Sequence, residues 1–495
     1  MSDPLPDSSQ HQTKRGAVLA AMMLAMFMAA IEATIVATAM PTIVSVLGGF
    51  ELFSWVFSIF LLCQAVTIPI YGKLADLFGR KPVFFFGTGL FLVASLLAGL
   101  STSMIQLIIY RALQGLGAGA IMPIAATIIG DIYNPEERAR IQGYLASVWG
   151  IASVIGPALG ALFVQKLNWS LVFWINIPVG ILSIAMTAIF LKEEVTRKKH
   201  TVDYLGSLQL MVGTALIMLV MIQSSQFSTS TIFLLSVVSA VLLIWFLFRQ
   251  ARVPEPMMPL DIWKDPVIAI GNTGGLIAGA LLISVTTFLP SYVQGVMGGS
   301  PASAGFTLSM MSIGWPLASA YGGRLMVRTS YRFVAILGGI MLVVGALVLA
   351  MLTPERGPLW AGAGTFLVGV GMGFSMTTFL VAIQSSVNWN RRGVATSSNL
   401  FMRLVGMSFG AAIFGVILNY HLEKQSPGIL KVINQIMDPI TRSALDPQRL
   451  ARLQDAMSGS LHQIYLYTVF LAIGILLLSV FIPRGLSPRN QPQKG

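Results

Sequence analysis

Charged residues are scarce in this sequence. Only 10% of its 495 residues are charged, while 55% are hydrophobic, and the mean hydropathy is +0.78. A typical soluble domain carries about 25% charged residues. The composition therefore excludes a water-soluble fold and indicates a chain that lies largely within a membrane.

Residues for disulfide and metal chemistry are also few. The single cysteine, Cys63, excludes an intramolecular disulfide and a cysteine metal cluster. The four histidines do not have the spacing of a metal site; they are His11, His200, His421 and His462. We expect neither a metal nor a cofactor. A membrane-embedded transferase would need His, Asp or Glu clustered at an interface, and the sequence has no such cluster.

The formal net charge of +12 does not indicate nucleic-acid binding. The basic residues do not form a stripe with interleaved aromatics, which a nucleic-acid groove would need. Most of the 31 Lys and Arg residues fall instead in short segments between apolar runs. If both termini are cytoplasmic, these segments follow the positive-inside rule. We therefore predict a multi-pass protein of the cytoplasmic (inner) membrane with both termini inside.

Long apolar runs dominate the chain. Crossing a hydrocarbon layer of about 30 Å takes about 20 apolar residues, and we count fourteen such runs. They fall at 17–39, 52–72, 83–101, 104–130, 141–164, 169–191, 204–225, 230–249, 266–290, 302–325, 333–352, 359–385, 394–420 and 461–483. The first run exceeds a signal-peptide core of ~7–15 residues, so we expect it to remain as a span.

Two loops of the sequence repeat each other. Residues 72–81 read Gly-Lys-Leu-Ala-Asp-Leu-Phe-Gly-Arg-Lys, and residues 323–332 read Gly-Arg-Leu-Met-Val-Arg-Thr-Ser-Tyr-Arg. Both join the second and third spans of a six-span unit if the seventh and eighth spans are an insertion. Two parallel halves with the substrate site at their interface are a known transporter plan. In the second copy Val327 stands where Asp76 does.

We therefore predict an all-α polytopic membrane protein with fourteen spans divided 6+2+6. Its predicted parts are a cytoplasmic tail at 1–13, a six-helix bundle at 14–203, two inserted helices with a linker at 204–265, a second bundle at 266–483 with an external loop at 421–460, and a cytoplasmic tail at 484–495. The roles of the loop and of the inserted pair stay open.

Two further motifs lie inside predicted spans. Residues 111–119 read Arg-Ala-Leu-Gln-Gly-Leu-Gly-Ala-Gly, and residues 156–161 read Gly-Pro-Ala-Leu-Gly-Ala. Their small residues allow helices to pack closely. Shorter motifs begin at Trp169, Leu289 and Arg403.

With these motifs the sequence resembles the major facilitator superfamily and, within it, the fourteen-span drug:proton antiporter branch, over about residues 15–485. The resemblance implies two pseudo-symmetric six-helix bundles and proton-coupled export. It also implies a conformational switch at Gly72, Asp76, Gly79 and Arg80, and an antiporter motif at Gly156, Pro157 and Gly160. Ala152 and Ala161 stand where that motif usually has glycine.

Glu32 is the only carboxylate well inside a predicted span. A charge at the centre of a span costs about 2.5–3.5 kcal/mol on insertion scales, so it indicates a functional residue. Glu32 and Arg111 lie at similar depths below the external ends of their predicted spans. We expect them to pair and to carry the coupled proton; the alternative is a permanent structural ion pair. The branch that the sequence resembles usually has aspartate at this position.

Four other polar residues are predicted to line a substrate cavity: Gln114, Tyr292, Gln294 and Arg403. Arg403 lies inside the thirteenth predicted span, and the second half has no intramembrane acid to pair with it. It either faces the cavity or bonds to backbone carbonyls. The charge of the substrate therefore stays open.

The resemblance implies an antiporter, not an enzyme, that exports small, mostly hydrophobic or cationic drugs by alternating access. The alternative is a dedicated exporter of a single metabolite, siderophore or antibiotic. A channel would need a ring of acids or a repeated carbonyl filter, and the sequence has neither. The expected partners are small organic substrates, protons and the lipid bilayer, with a periplasmic adaptor in addition if the source is Gram-negative. Proton stoichiometry and oligomeric state stay open.

Overall fold

The computed structural model describes residues 14–133, 135–193, 203–223, 227–254, 256, 260–387, 392–425, 427–437 and 439–483. Within these ranges the regular elements are helices, and no strand occurs. Long apolar segments form helices because a backbone in lipid must satisfy its hydrogen bonds internally. The predicted all-α class is confirmed.

Seventeen α-helices lie in the described ranges. They are α1 (Arg15–Leu47), α2 (Phe53–Phe78), α3 (Arg80–Gly99), α4 (Met104–Ile132), α5 (Pro135–Lys166), α6 (Leu171–Trp174), α7 (Asn176–Phe190), α8 (Tyr204–Gln223), α9 (Thr229–Gln250), α10 (Pro266–Ser291), α11 (Pro301–Arg328), α12 (Tyr331–Ala350), α13 (Gly357–Ser386), α14 (Arg392–Gln425), α15 (Asn434–Met437), α16 (Pro439–Ser443) and α17 (Pro447–Val480).

Twelve helices among the described residues are long and apolar enough to cross a membrane. Two of the predicted spans fall outside this set. The apolar part of α8, Tyr204–Val220, is shorter than the others, and α11 is not among the twelve. The count of fourteen spans therefore stays a prediction.

The helices pack as two groups. In the first, α1 packs on α5 and α7, and α4 packs on α2 and α3. In the second, α13 packs on α11 and α12, α14 packs on α10, and α17 packs on α12. Between the groups, α2 packs on α14 and α5 packs on α11. Glycines permit close approach within each group: a Cβ at Gly115 would lie 2.3 Å from the backbone oxygen of Phe60.

The helices α8 and α9 form a hairpin at the seam between the groups, where α8 packs on both α2 and α14. Asp203 joins the two helices at one end of the hairpin. Its carboxylate accepts hydrogen bonds from Arg249 Nε and Gln250 Nε2, both at 2.7 Å, and from the backbone nitrogen of Gly206 at 2.9 Å. Burial alone would raise the pKa of Asp203, but these bonds hold it below its ordinary value.

The predicted external loop at 421–460 is largely helical in the structure. The helices α14 and α17 extend into it from both sides, and α15 and α16 lie between them. Ile429, Ile433 and Ile436 are buried. The turn Ile429–Lys431 packs on α14, and α15 packs on α1 and on the π-helical turn Tyr292–Val296 that continues α10. The segment therefore covers the ends of both helix groups.

Helix α1 is longer than its predicted span. It ends at Leu47 instead of near residue 39, so Glu32 lies about 22 Å from that end at helical rise. Arg111 lies only about 10 Å from the first residue of α4. The two helix ends are not level, so the distance of Glu32 and Arg111 from the ends of their own helices does not measure their relative depth.

Candidate functional site

Glu32 lies near the middle of α1 and is 1% exposed. Its Oε1 pairs with Arg111 Nη1 of α4. Its Oε2 accepts a hydrogen bond from Asn176 Nδ2 of α7 at 2.6 Å. A carboxylate removed from water requires such partners. The structure brings Glu32 and Arg111 together, and their role in proton coupling stays a prediction.

Arg111 is 2% exposed and has partners besides Glu32. Its Nη1 also donates to Gln114 Oε1 at 2.6 Å, and its Nε donates to the backbone oxygen of Val56 at 3.1 Å. The guanidinium lies over the Phe60 ring, 4.0 Å from the ring centroid. The cation would therefore stay bonded if Glu32 became neutral.

Gln114 extends this network to α3. Its Nε2 donates to Ser95 Oγ at 2.8 Å, and that hydroxyl donates to the backbone oxygen of Phe91 at 2.8 Å. Because Arg111 and Gln114 are three residues apart, one face of α4 presents both. The structure thus places Gln114 within the first helix group, and its predicted contact with a substrate stays a prediction.

Asn176 reaches Glu32 because the chain is interrupted between α6 and α7. The helix α6 ends at Trp174 and α7 begins at Asn176. Pro178 has no backbone N–H to continue the preceding turn. Asn176 is 1% exposed, and its Oδ1 has no hydrogen-bond partner in the described part of the chain. The motif that begins at Trp169 was the sequence signal for this residue, but it did not identify Glu32 as its partner.

The residues of the predicted antiporter motif lie where α5 meets α1 and α11. A Cβ on Gly156 would lie 2.0 Å from Thr34 Oγ1 of α1, and one on Gly160 would lie 3.0 Å from a backbone oxygen of the same helix. Pro157 lies on the other side, against Gly305 of α11. The motif therefore permits close packing next to the Glu32 site and between the helix groups.

The predicted conformational switch lies where α2 meets α3. Gly79 joins the two helices with φ 97°, a conformation that favours glycine. Arg80 Nε pairs with Asp131 Oδ2 of α4 at 3.0 Å. Gly72 lies within α2, and a Cβ there would meet nothing within 4 Å. The side chain of Asp76 lies outside what the structure describes, so the switch stays a prediction.

Glu193 was not predicted as a functional residue, yet it caps the start of α3. Its carboxylate oxygens accept hydrogen bonds from the backbone nitrogens of Arg80 at 2.5 Å and Lys81 at 2.8 Å. The positive end of a helix favours an acid at this place. Lys81 Nζ in turn donates to the backbone oxygens of Ala188 and Leu191 at the end of α7. The sequence concealed this contact, because Glu193 lies 112 residues from Lys81.

Between residues that the structure describes, three side-chain hydrogen bonds join the two helix groups. They run from Gln294 Nε2 to the backbone oxygen of Thr38 at 3.1 Å, from Ser408 Oγ to that of Ser58 at 2.9 Å, and from Asn419 Nδ2 to that of Glu51 at 2.9 Å. All three lie in the half of the bundle where α1 ends and α2 begins. We call this half the closed end.

Aromatic packing supports the closed end. The Phe288 ring of α10 lies 5.7 Å from the Phe53 ring of α2 and 6.2 Å from the Phe414 ring of α14, measured between centroids. Edge-to-face ring pairs of this kind are worth about 0.5–1.5 kcal/mol beyond their buried area. The closed end is therefore joined by apolar as well as polar contacts.

Tyr292 and Gln294 both lie buried at the closed end. The Tyr292 hydroxyl is 3.2 Å from the backbone oxygen of Leu352 and 3.3 Å from Ser458 Oγ, both in the second helix group. The backbone oxygen of Gln294 accepts a hydrogen bond from Arg442 Nη1 at 2.6 Å. Their predicted contact with a substrate stays a prediction.

Arg403 lies in α14 and is half-buried. No hydrogen bond or ion pair joins its side chain to a residue that the structure describes. Phe414, eleven residues further on, falls on the same face of the helix, and its ring contacts Phe288. Arg403 therefore lies on the side of α14 that faces α10, a helix of the same group, and its predicted contact with a substrate stays a prediction.

Apolar membrane-length helices in two groups, with a charged network buried in one of them, define a multi-pass membrane transporter. The sequence profile of the Major Facilitator Superfamily matches residues 22–411, and the chain belongs to this family. Multidrug resistance protein 3 of Bacillus subtilis is 35% identical over 461 residues, which are 90% of either chain. The multidrug transporter protein MdtP of the same organism is 33% identical over 411 residues, which are 82% of this chain and 76% of MdtP.

Solved transporter structures share the fold at low sequence identity. A bacterial homologue of the human lysosomal transporter Spinster, inward-facing and unoccupied, has a TM-score of 0.68 at 16% identity and covers 94% of this chain and 97% of its own. The nucleoside transporter NupG has a TM-score of 0.64 at 12% identity and covers 93% of this chain and 99% of its own. The resemblance to the superfamily is confirmed.

Proposed function

We propose that this chain is a proton-coupled antiporter that exports small, mostly hydrophobic or cationic drugs across the cytoplasmic membrane by alternating access. Two relatives are named as a multidrug resistance protein and a multidrug transporter, which supports drugs as substrates. The observation that carries the proposal is a carboxylate buried near the middle of a membrane-length helix, Glu32, whose cationic partner Arg111 has a second set of bonds.

In this proposal a proton neutralises Glu32 and releases it from Arg111. Removing one partner of a buried ion pair costs about 3–5 kcal/mol when the other charge is left unpaired. Arg111 avoids much of this cost, because Gln114, the backbone oxygen of Val56 and the Phe60 ring still hold it. A proton that enters across 100 mV contributes about 2.3 kcal/mol to the cycle.

We extend the proposal to the topology. It has fourteen spans, with two pseudo-symmetric six-helix bundles at 14–203 and 266–483 and an inserted pair at 204–265. The tails at 1–13 and 484–495 are cytoplasmic. The positive-inside rule supports this orientation, since Arg80 begins α3 and Arg328 ends α11 on the same side.

With this orientation the closed end faces outwards. The Gln294 to Thr38 bond and the Phe53 to Phe288 contact then support a state that is closed to the outside and loads substrate from the cytoplasm. Gly72, Asp76, Gly79 and Arg80 lie at the cytoplasmic end, where a switch would act when the groups close there. The Arg80 pair with Asp131 supports this role.

We place the substrate in the interior between the groups. Arg403 supports this placement, because it is half-buried in α14 and bonds to no side chain or backbone group among the described residues. Gln114 lies beside the proton site, and Tyr292 and Gln294 line the outer part of the path when the closed end opens. The variant Arg403→Gln tests this placement, because an unchanged rate for every transported compound would remove Arg403 from the binding site.

The second candidate is a dedicated exporter of a single metabolite, siderophore or antibiotic. Arg403 favours it, because a cation that has no partner among the described residues suits a ligand with an anionic group better than it suits varied cations. A substrate screen separates the two candidates. Many chemically unrelated substrates support drug export, and one substrate supports the dedicated exporter.

The proposal is tested by efflux of ethidium from loaded cells, with and without an imposed pH gradient. We compare the wild type with Glu32→Gln and with Glu51→Gln, a matched change of the acid just before α2. Wild-type efflux should follow the gradient, Glu32→Gln should lose at least tenfold in rate at unchanged protein level, and Glu51→Gln should keep the rate. Full gradient-driven efflux by Glu32→Gln would sink the assignment of Glu32.

A further inference from the structure

The amide of Asn176 faces Glu32 but uses only one of its two polar groups. An ionised carboxylate can only accept hydrogen bonds, so the amide nitrogen must face it, and Nδ2 lies 2.6 Å from Oε2. Among the described residues nothing donates to the buried Oδ1. An unsatisfied buried acceptor costs free energy and calls for an explanation.

The other protonation state of Glu32 supplies an explanation. When a proton from water binds Oε2, the carboxylic acid gains an O–H donor. A half-turn of the amide about its Cβ–Cγ bond then brings Oδ1 to face this donor and turns Nδ2 away. The same side chain thus donates to the carboxylate and accepts from the acid, without movement of either helix.

We infer that Asn176 is a positioning residue for Glu32, whose amide donates to the carboxylate and, after turning, accepts from the carboxylic acid. This inference rests on the proposed function of Glu32 as the proton site. Asn176 keeps the carboxyl group in one place in both states, so the proton is gained and lost at the same atom. A leucine, which is similar in size, can bond to neither the carboxylate nor the carboxylic acid of Glu32.

Few other groups can set the pH dependence of this site. From α4, the charged side chain that faces Glu32 is Arg111. The elements α6, α7, α10 and α15 that pack on α1 contain no charged residue within their bounds. The charged residues of α5 and α11 lie at the ends of those helices. Within the described ranges, Arg111 and Asn176 are therefore the side chains that bond to the buried carboxyl group of Glu32 and can change how readily it binds a proton.

Loss of the amide should shift the pH midpoint of Glu32 protonation. A hydrogen bond to an ionised group is about twice as strong as one between neutral groups. Asn176→Leu removes the hydrogen bond to the carboxylate and the one to the carboxylic acid, so it disfavours the carboxylate more than the acid. We expect Asn176→Leu to move the midpoint to higher pH by about one unit, a tenfold change in proton affinity.

Asn272 provides a matched control. It is a fully buried amide in α10, its Nδ2 donates to Ser398 Oγ at 3.0 Å, and its Oδ1 has no partner in the described part of the chain. It resembles Asn176 in burial and bonding, but its partner is a hydroxyl group that does not titrate in this range. Asn272→Leu should therefore leave the midpoint unchanged.

The experiment is infrared difference spectroscopy of the purified full-length protein in lipid nanodiscs, titrated with pH. The C=O stretch of the protonated carboxyl that disappears in Glu32→Gln identifies Glu32. In Asn176→Leu this band should titrate about one pH unit higher and move to higher frequency, because the acid has lost its acceptor. Asn176→Ala introduces a smaller side chain than leucine. It should shift the pH midpoint and the frequency of the band in the same directions as Asn176→Leu.

The outcomes separate the inference from the proposed function. If no protonated-carboxyl band depends on Glu32, the proton site itself is wrong. If the band disappears in Glu32→Gln but keeps its midpoint and frequency in Asn176→Leu or Asn176→Ala, Asn176 has only a structural role and the inference fails alone. An equal shift in Asn272→Leu would also overturn it.

Discussion

At the scale of single residues, the site depends on one guanidinium with several partners. Arg111 contacts Glu32, Gln114 and the backbone oxygen of Val56 at once, from the fixed fork of its nitrogens. A lysine ammonium is a point charge on a flexible chain and cannot reproduce this geometry. The charge of residue 111 and its shape are therefore separable by experiment.

Arg111→Lys should lower gradient-driven ethidium efflux at least tenfold, although the positive charge is kept. The physical reason is the loss of the planar fork that holds Glu32 and Gln114 together. The initial rate of efflux measures the effect, normalised to protein in the membrane. Arg356→Lys is the control, since the exposed Arg356 lies over the Trp360 ring, 4.4 Å from its centroid. A wild-type rate in Arg111→Lys would show that charge alone suffices.

The charged members of the site could be found from the sequence, but the neutral member could not. Glu32 and Arg111 stand out because ionised groups are rare inside spans. Asn176 is a neutral amide, and its partner lies 144 residues away. No local sequence pattern predicts the contact between Asn176 and Glu32, because this contact forms only when α1 and α7 pack together.

At the scale of elements, helix crossings depend on positions without side chains. Gly156 and Gly150 lie on the same helix, α5, but in different surroundings. A Cβ at Gly156 would lie 2.0 Å from Thr34 Oγ1, and a Cβ at Gly150 would meet nothing within 4 Å. Replacing each of these two glycines by alanine therefore separates the effect of helix packing from the effect of helix propensity.

Gly156→Ala should force α5 away from α1 and lower the transport rate several-fold. Gly150→Ala should keep the rate and leave stability unchanged or higher, since alanine favours a helix over glycine by about 1 kcal/mol. The efflux rate and the midpoint temperature of unfolding in detergent are the two measurements. Equal behaviour of the two variants would contradict a packing role for Gly156.

Asp203→Asn should weaken the α8–α9 hairpin. The folded pKa of Asp203 lies below its ordinary value of 3.8, so its contribution to stability is present above that pH and is lost as the pH falls through the lowered pKa. We therefore expect a lower midpoint temperature of unfolding at pH 7 and a smaller difference from wild type as the pH approaches and passes below 3.8. The exposed Asp455 offers the control Asp455→Asn, which should match wild type throughout.

Helix positions were predictable and helix ends were not. Apolar length marks the part of a helix that crosses lipid, so the predicted runs fall on helices, although the run at 169–191 is divided between α6 and α7. It does not mark how far a helix continues into water, and α1 and α17 both extend beyond their predicted runs. The burial of Ile429 and its neighbours was also missed, because it arises from packing on helices that are distant in the sequence.

At the scale of the whole molecule, the two helix groups meet at the closed end. Ser58 and Ser408 lie opposite each other there, with Oγ of Ser408 2.9 Å from the backbone oxygen of Ser58. In the proposed alternating-access cycle, such contacts break each time the closed end opens. A covalent bond between the groups at this place should therefore stop transport.

Ser58→Cys with Ser408→Cys should form a disulfide on oxidation and abolish efflux, and a reductant should restore it. The background is Cys63→Ala, which removes the single native cysteine. Each single cysteine variant is the control and should keep its rate under oxidation. If the cross-linked protein transports as fast as the same protein after reduction of the disulfide, the closed end does not open during transport.

The sequence by itself determined the class of this protein. Apolar run length, scarce charge and the loop at 72–81 define a membrane transporter of the superfamily, because lipid imposes the same length and polarity on every span. Only the tertiary structure decided which polar groups meet. The Glu32, Arg111 and Asn176 contact, the Glu193 cap on α3 and the closed end each join residues far apart in the chain, and such contacts depend on how the helices pack against one another.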